Sequence, residues 1–343
     1  MKNGRHGSLC LFPLLLMCVG CFGGNSETKF SMFVSGDTAG WITPCGCTSN
    51  QSGGLSRRDT LLTDHRQRGD VLALDVGGNV SGDSAYDLSK LRFIVRGLNA
   101  MSYDAVNLGG PESQFNAEEI REVFADVDAP LITTNVTDLA GRPLGRKHVV
   151  LEAGGRSIGV LGVVEPGLVG KELLALDPSS AILNELPQIE ADLIIVLAYA
   201  ETGALRELAN TLPEVDAVIG GPTGQLITPS QVGSVWVASA TNKGKFMLRW
   251  DVGLAQSGST SLTSPSVVEI DSSIEMAGRQ QDNLEAFYVS LADSDFSPDE
   301  TTFVSSRLRR SGGDRIAGSA ACEQCHQVDD AVWHDSKHVH AWA

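Results

Sequence analysis

Residues 29–35 alternate in the manner of a strand, with Phe30, Met32 and Val34 on one face. That period of two predicts a β-strand. It stops at Gly36-Asp37-Thr38-Ala39-Gly40, and a Gly- and Ser-rich loop runs on to Gly53-Gly54. The spacing then predicts a helix over 56–68, a buried strand over 71–76 ended by Gly77-Gly78, an amphipathic helix over 88–101 and a strand over 105–108. A helix over 117–124 opens on Asn116 with Glu119 three residues on, the pattern of a capping box. A strand over 131–134 follows. Strands at 149–152 and 157–164 flank Gly154-Gly155, which reads as a hairpin. Then come a helix at 181–190, a strand at 193–198, a helix at 205–210 and a strand at 217–219. Two antiparallel strands, 234–239 and 245–252, are predicted to close the domain. A Ser/Thr-rich loop over 256–266 leads to one more strand and a helix around 273–291. Residues 294–319 are a polar linker rich in Ser, Arg and Gly.

Alternating strands and helices that give way to antiparallel strands predict two sheets packed between helices, an α/β four-layer α-β-β-α sandwich. In such folds the Gly-rich loops at the strands' C-terminal ends carry the sites.

The 343 residues carry a net charge of −16, which argues against a nucleic-acid polymer as partner. Residues 1–21 read as a secretion signal: Lys2 and Arg5, an apolar run over 9–19, then Gly20-Cys21. The run is too short for a transmembrane helix. Cys18-Val19-Gly20-Cys21 resembles a bacterial lipoprotein cleavage box, which implies lipidation of Cys21 and membrane attachment; ordinary cleavage near Gly23-Gly24 is the alternative.

Of the seven cysteines, Cys10 and Cys18 leave with the signal, so the chain is no disulfide scaffold. Cys322, Cys325 and His326 form Cys-x-x-Cys-His, the attachment signature of a c-type haem. The thiols would form thioethers and His326 would ligate the iron. His338, or else His340, would take the opposite axial position. A zinc knuckle or a disulfide is the other reading of such a pair. Residues 317–343 resemble one unit of the multihaem c-type cytochromes, apart from Val339 where that family usually has Ala. Such proteins usually continue into further haem motifs, so the sequence reads as a truncated version of a longer cytochrome. On this reading the chain is an exported electron-transfer protein with one haem c, serving unidentified redox partners. Its domains are a signal at 1–21, a main domain at 29–255, an extension at 256–293, a linker at 294–316 and a haem segment at 317–343.

The loops of the main domain carry a second resemblance. Gly36-Asp37-Thr38-Ala39-Gly40, Gly53-Gly54-Leu55-Ser56-Arg57-Arg58, Leu74-Asp75-Val76-Gly77-Gly78, residues 98–109 and Thr134-Asn135-Val136 stand in the order of the calcineurin-like metallophosphatases, in their 5′-nucleotidase branch. The resemblance implies a pair of divalent metals that activate water and clamp a phosphoryl group. It also locates the ligand positions, and most are changed. Asp37 stands, but Ala39 replaces a His. Gly77-Gly78 replaces Gly-Asp, leaving the earlier Asp75. Gly109-Gly110-Pro111-Glu112 replaces Gly-Asn-His-Glu. Tyr199 stands nearest the fourth His, and Gly221-Pro222-Thr223-Gly224 replaces Gly-His-x-His.

Asp37, Asp75 and Glu112 are therefore remnant metal candidates, suited to a loose Mg²⁺ or Ca²⁺ rather than a tight dinuclear site. Cys45 and Cys47 in the first loop are candidates for a soft metal or redox chemistry, or else inert thiols. Arg57-Arg58 suits an anion near a helix start or a helix-surface salt bridge. The expected main function is haem electron transfer on a silent phosphatase-like scaffold. The alternatives are a phosphoester hydrolase with unusual ligands and a ligand-binding pseudoenzyme.

Overall fold

The computed structural model describes Met1 and residues 28–45, 51–254, 260–297, 300–301 and 325–336. Strands β1 (Thr28–Ser35), β2 (Asp70–Asp75), β3 (Ala105–Asn107) and β4 (Leu131–Ile132) run parallel in that order. On the other side of β1 lies antiparallel β13 (Phe246–Leu254), which pairs with β14 (Thr260–Leu262) and β15 (Ser266–Glu269). The second sheet has β7 (Arg156–Val164), β9 (Leu193–Tyr199), β10 (Ala217–Gly221) and β12 (Val235–Ser239) parallel at its centre. Its antiparallel edges are β6 (His148–Ala153) and β11 (Ser230–Val232). A small ribbon pairs β5 (Val136–Asp138) with β8 (Leu173–Ala175).

Side chains on opposite faces of one strand enter different cores, and that makes four layers. Met32 and Val34 of β1, with Leu74 of the neighbouring β2, point inward to Val160, Ile195 and Leu197 of the facing sheet. Phe33, between them, points outward. There it meets Leu55 and Leu62 of α1 (Leu55–Arg66), Ile94 and Leu98 of α2 (Ala85–Ala100) and Phe287 of α6 (Gly278–Ser294). The second sheet's outer face, with Val163, Val196 and Val218, takes Ile182 of α4 (Pro178–Glu185) and Leu205 and Leu208 of α5 (Thr202–Thr211). Each such aliphatic side chain contributes about 1.5–3 kcal/mol by leaving water.

Local signals appear where the sequence places them. Asn116 accepts from Glu118 N and Glu119 N, and the Glu119 carboxylate accepts from Asn116 N, at the start of α3 (Ala117–Val123). Gly154 and Gly155 both have positive φ, 56° and 71°, as a tight hairpin turn between β6 and β7 requires.

The predicted closing pair differs. The strand at 235–239 joins the second sheet parallel to β10, while the strand at 246–254 joins the first sheet antiparallel to β1. Alternation shows which residues share a face, but not which strand is the neighbour. The crossing between sheets falls at Asn242, Lys243 and Gly244, three successive residues with positive φ. No helix among the described residues is long and apolar enough to cross a membrane.

Candidate functional site

The parallel strands of both sheets deliver their C-terminal loops to one cleft. The first loop runs beside the second: Asp37 N donates to Gly77 O at 2.7 Å, Ala39 N to Gly78 O at 2.8 Å and Gly40 N to Asn79 O at 2.8 Å. Asp37 and Ala39 sit at φ 52° and 50°, left-handed values that cost a non-glycine residue about 1–2 kcal/mol each. Neighbouring loops hold this shape, for Gly244 N donates back to Asp37 O at 3.2 Å.

Every predicted carboxylate here is occupied by a donor of the protein itself. Asp37 Oδ2 accepts from Thr241 Oγ1 at 2.6 Å and Asn242 N at 3.2 Å. Burial raises the Asp37 pKa, against those two bonds, and Asp75 adds to the rise. Asp75 is fully buried. Its Oδ1 accepts from Gly77 N and Asn79 Nδ2, both at 2.9 Å, and its Oδ2 from Ser35 Oγ at 2.5 Å. The fully buried Arg58 guanidinium stands 3.9 Å from Asp75 Oδ2 and donates to Thr38 Oγ1 at 3.1 Å. Ser35 Oγ also meets the Tyr103 hydroxyl at 2.8 Å. Arg58 thus replaces both expected roles, an anion site or a surface salt bridge, with a buried charge pair under the first loop.

Glu112 lies across the second loop. Its carboxylate accepts from three consecutive backbone amides, Gly78 N at 3.1 Å, Asn79 N, and Val80 N at 3.1 Å. Such a concave run of N–H groups favours an anion. Burial works the other way and wins, so the Glu112 pKa is pushed up to about 7.

Tyr199, at the end of β9, fills what space remains. A Cβ on Gly78 would stand 2.6 Å from Tyr199 Cε2, and one on Gly110 would stand 2.9 Å from Cε1. The two glycines therefore make the slot that the ring occupies. Burial raises the Tyr199 pKa, with the Glu112 and Asp37 charges adding to it.

These residues do not fit the dinuclear metal centre that the fold implies. Asp75 and Glu112 accept from protein donors at both carboxylate oxygens and Asp37 does so at Oδ2, and among the described residues no imidazole faces them. Among the described residues no group of three or more His, Cys, Asp or Glu is placed to hold a metal ion. Above this filled floor the cleft opens into a cavity of about 350 Å³, lined by Ser81, Asp83, Gly110, Gln114 and Tyr199 among others.

Cys45 is half-buried at the edge of the first loop, where its N–H donates to Ser52 O at 2.9 Å. Cys47 and Cys21 lie outside the described residues. So do Cys322, His338 and His340. Cys325 and His326 are exposed at the start of helix α7 (Gln327–His334), with His326 Nδ1 3.4 Å from Asp329 Oδ2.

No family model matches the chain. It is 28% identical over 194 residues to an apyrase of Tabanus yao, covering 52% of this chain and 34% of that protein. It is 24% identical over 225 residues to a snake venom 5′-nucleotidase of Gloydius brevicauda, covering 60% of this chain and 38% of the relative. The chain thus spans little more than a third of these curated relatives. The solved structure of the calcineurin-like phosphoesterase YfkN from Bacillus subtilis superposes with a TM-score of 0.65 at 17% identity, over 77% of this chain and 98% of that one. The described domain has the calcineurin-like metallophosphatase fold. Its sequence likeness falls on the 5′-nucleotidase side of that class.

These findings correct the expectation of an electron-transfer protein holding one haem c. The chain resembles 5′-nucleotidases and a phosphoesterase, which favours the hydrolase-like alternatives, and nothing in the described residues indicates a haem.

Proposed function

We propose that this is a 5′-nucleotidase-like phosphoesterase domain whose cleft binds a small ligand without metal-dependent hydrolysis. One observation supports this above the rest: the Glu112 carboxylate sits on the amides of Gly78, Asn79 and Val80, and the Tyr199 ring fills the slot between Gly78 and Gly110. The floor where a phosphoryl group would meet two ions is filled by protein, while the mouth keeps a cavity of small-molecule size. The residues that remain act by shape and hydrogen bonding. Ser81 is exposed at the rim, and Gln114 is held by its amide against Gly110 O at 3.2 Å and Leu168 O at 3.1 Å.

A second reading keeps hydrolysis, because the relatives are named as an apyrase and a 5′-nucleotidase. Turnover of AMP and of an aryl phosphate with added Mg²⁺, Mn²⁺, Zn²⁺ or Ca²⁺ separates the two. The binding reading expects no metal-dependent release of phosphate. Release that disappears in Asp37→Ala establishes the hydrolase instead.

The resemblance to a venom protein is compatible with export. Membrane attachment through Cys21 is a further proposal, tested by the mass of the mature N-terminus. A lipidated Cys21 supports it, and an unmodified start at Asn25 refutes it.

A further inference from the structure

Beside the cleft, and sharing Ser81 with it, lies a second cavity of about 360 Å³. The loop carrying Gly40 and Trp41 forms one wall, Tyr86 and Lys90 of α2 another, and Phe287 and Tyr288 of α6 the third. Phe287 is buried at its base, 5.3 Å from Phe93 and 6.4 Å from Tyr86 between ring centroids. Trp41 and Tyr288 are 37% and 55% exposed. Trp41 and Tyr288 thus keep exposed ring surface beside an aromatic floor.

Charge gives the second half of the pattern. Lys90 Nζ lies 4.4 Å from the Tyr86 ring centroid, and Lys243 Nζ lies 4.6 Å from that of Trp41. The chain has 42 acidic residues against 26 Lys and Arg, yet among the described residues neither lysine pairs with a carboxylate. Lys90 is half-buried, and its stem packs against Gly40, where an added Cβ would meet Lys90 Cδ at 3.2 Å. The ammonium is therefore held at the cavity wall. Backbone strain is concentrated on the two loops that carry Trp41 and Lys243: Ala39 and Lys243 have φ of 50° and 61°. Residues in such conformations persist where the surrounding structure imposes them, as at ligand clamps.

We propose that this pocket binds a planar aromatic ring carrying an anionic group, with the ring between Trp41 and Tyr288 and the anion on Lys90. A planar ring can stack in offset fashion on the exposed surface of either aromatic side chain. An ammonium that lacks a carboxylate partner offers three donors to a phosphate or carboxylate. The volume suits a small molecule rather than a protein segment. The site lies outside the filled metal floor and stands whether or not the cleft hydrolyses anything.

Calorimetric titration of the full chain with AMP tests it, with adenosine and inorganic phosphate as the part-ligands. AMP should bind one to one, and adenosine and phosphate each at least about tenfold more weakly. Trp41→Ala, Tyr288→Ala and Lys90→Gln should each weaken AMP by about tenfold, as anchor residues do. Lys90→Gln should leave adenosine unchanged, which a general disturbance of the fold would not. AMP binding that survives Trp41→Ala and Lys90→Gln within about twofold, or no AMP binding at all, overturns the proposal. If only Gln114→Ala and Tyr199→Ala abolish binding, the ligand sits in the cleft: this proposal falls and the reading of the cleft stands. If only the aromatic-pocket variants matter, the reverse holds.

Discussion

Glu112 gives the account a number that can be checked. Its ordinary pKa of 4.5 is pushed up to about 7 in the folded protein, mainly by burial. Below about pH 4.5 the carboxyl is neutral in both the folded and the unfolded chain, and it takes nothing from stability. As pH rises toward 7, the unfolded chain releases its proton while the folded one keeps it, so stability falls. Above pH 7 both forms are charged and the loss is complete. A shift of roughly 2.5 units corresponds to roughly 3 kcal/mol. Glu112→Gln keeps an oxygen for the amides of Asn79 and Val80 and cannot titrate. It turns an NH₂ group toward Gly78 N–H, a cost that does not vary with pH. Urea unfolding of both proteins at intervals from pH 4.5 to 8 reads the difference between them. Other titrating groups cancel in that difference. The variant should gain roughly 3 kcal/mol relative to the natural protein across the interval. A difference that stays flat within about 0.5 kcal/mol refutes the reasoning and means that the three amides, not burial, dominate this carboxylate.

Three further outcomes follow from the same geometry. Arg58→Ala leaves Asp75 buried without its counter-charge and should cost about 3–5 kcal/mol in urea unfolding, much of it recovered in Arg58→Ala/Asp75→Asn; a cost under about 1 kcal/mol contradicts the buried pair. Asn116→Ala removes the acceptor for two amides of α3 and should cost about 1 kcal/mol by the same assay, with no change in ligand affinity. Gly78→Ala places a Cβ against the Tyr199 ring at a backbone φ of 77°, so thermal melting should drop by several degrees, and Tyr199→Ala in the same chain should restore only part of it, because the backbone strain stays.

How much of this was legible beforehand follows from the range of each interaction. The capping box at Asn116 and Glu119 and the turn at Gly154-Gly155 depend on neighbours in sequence, and both could be read directly. The four layers are legible in the alternation of strands and helices, and in the structure Phe33 between Met32 and Val34 gives β1 an apolar residue for the core on each of its faces. The pairing of Arg58 with Asp75 was not, since Arg57-Arg58 on a helix is also the pattern of a solvated surface. From the sequence Glu112 reads as a metal remnant, because it stands beside a changed ligand position. Its actual partners, the amides of residues 78–80, lie 32–34 positions away and are backbone groups that carry no side-chain signal. The aromatic pocket joins Trp41, Tyr86 and Tyr288 across more than two hundred residues, and no local pattern brings them together.

At the floor of the cleft, where the fold implies a pair of metal ions, protein groups stand instead. Electron paramagnetic resonance of the full chain titrated with Mn²⁺ tests this most directly, because two ions some 3.5–4 Å apart couple their spins. The account predicts only free or singly bound Mn²⁺, with no coupled pair, at any ratio of metal to protein and with or without AMP. A spin-coupled pair that vanishes in Asp37→Ala would contradict it.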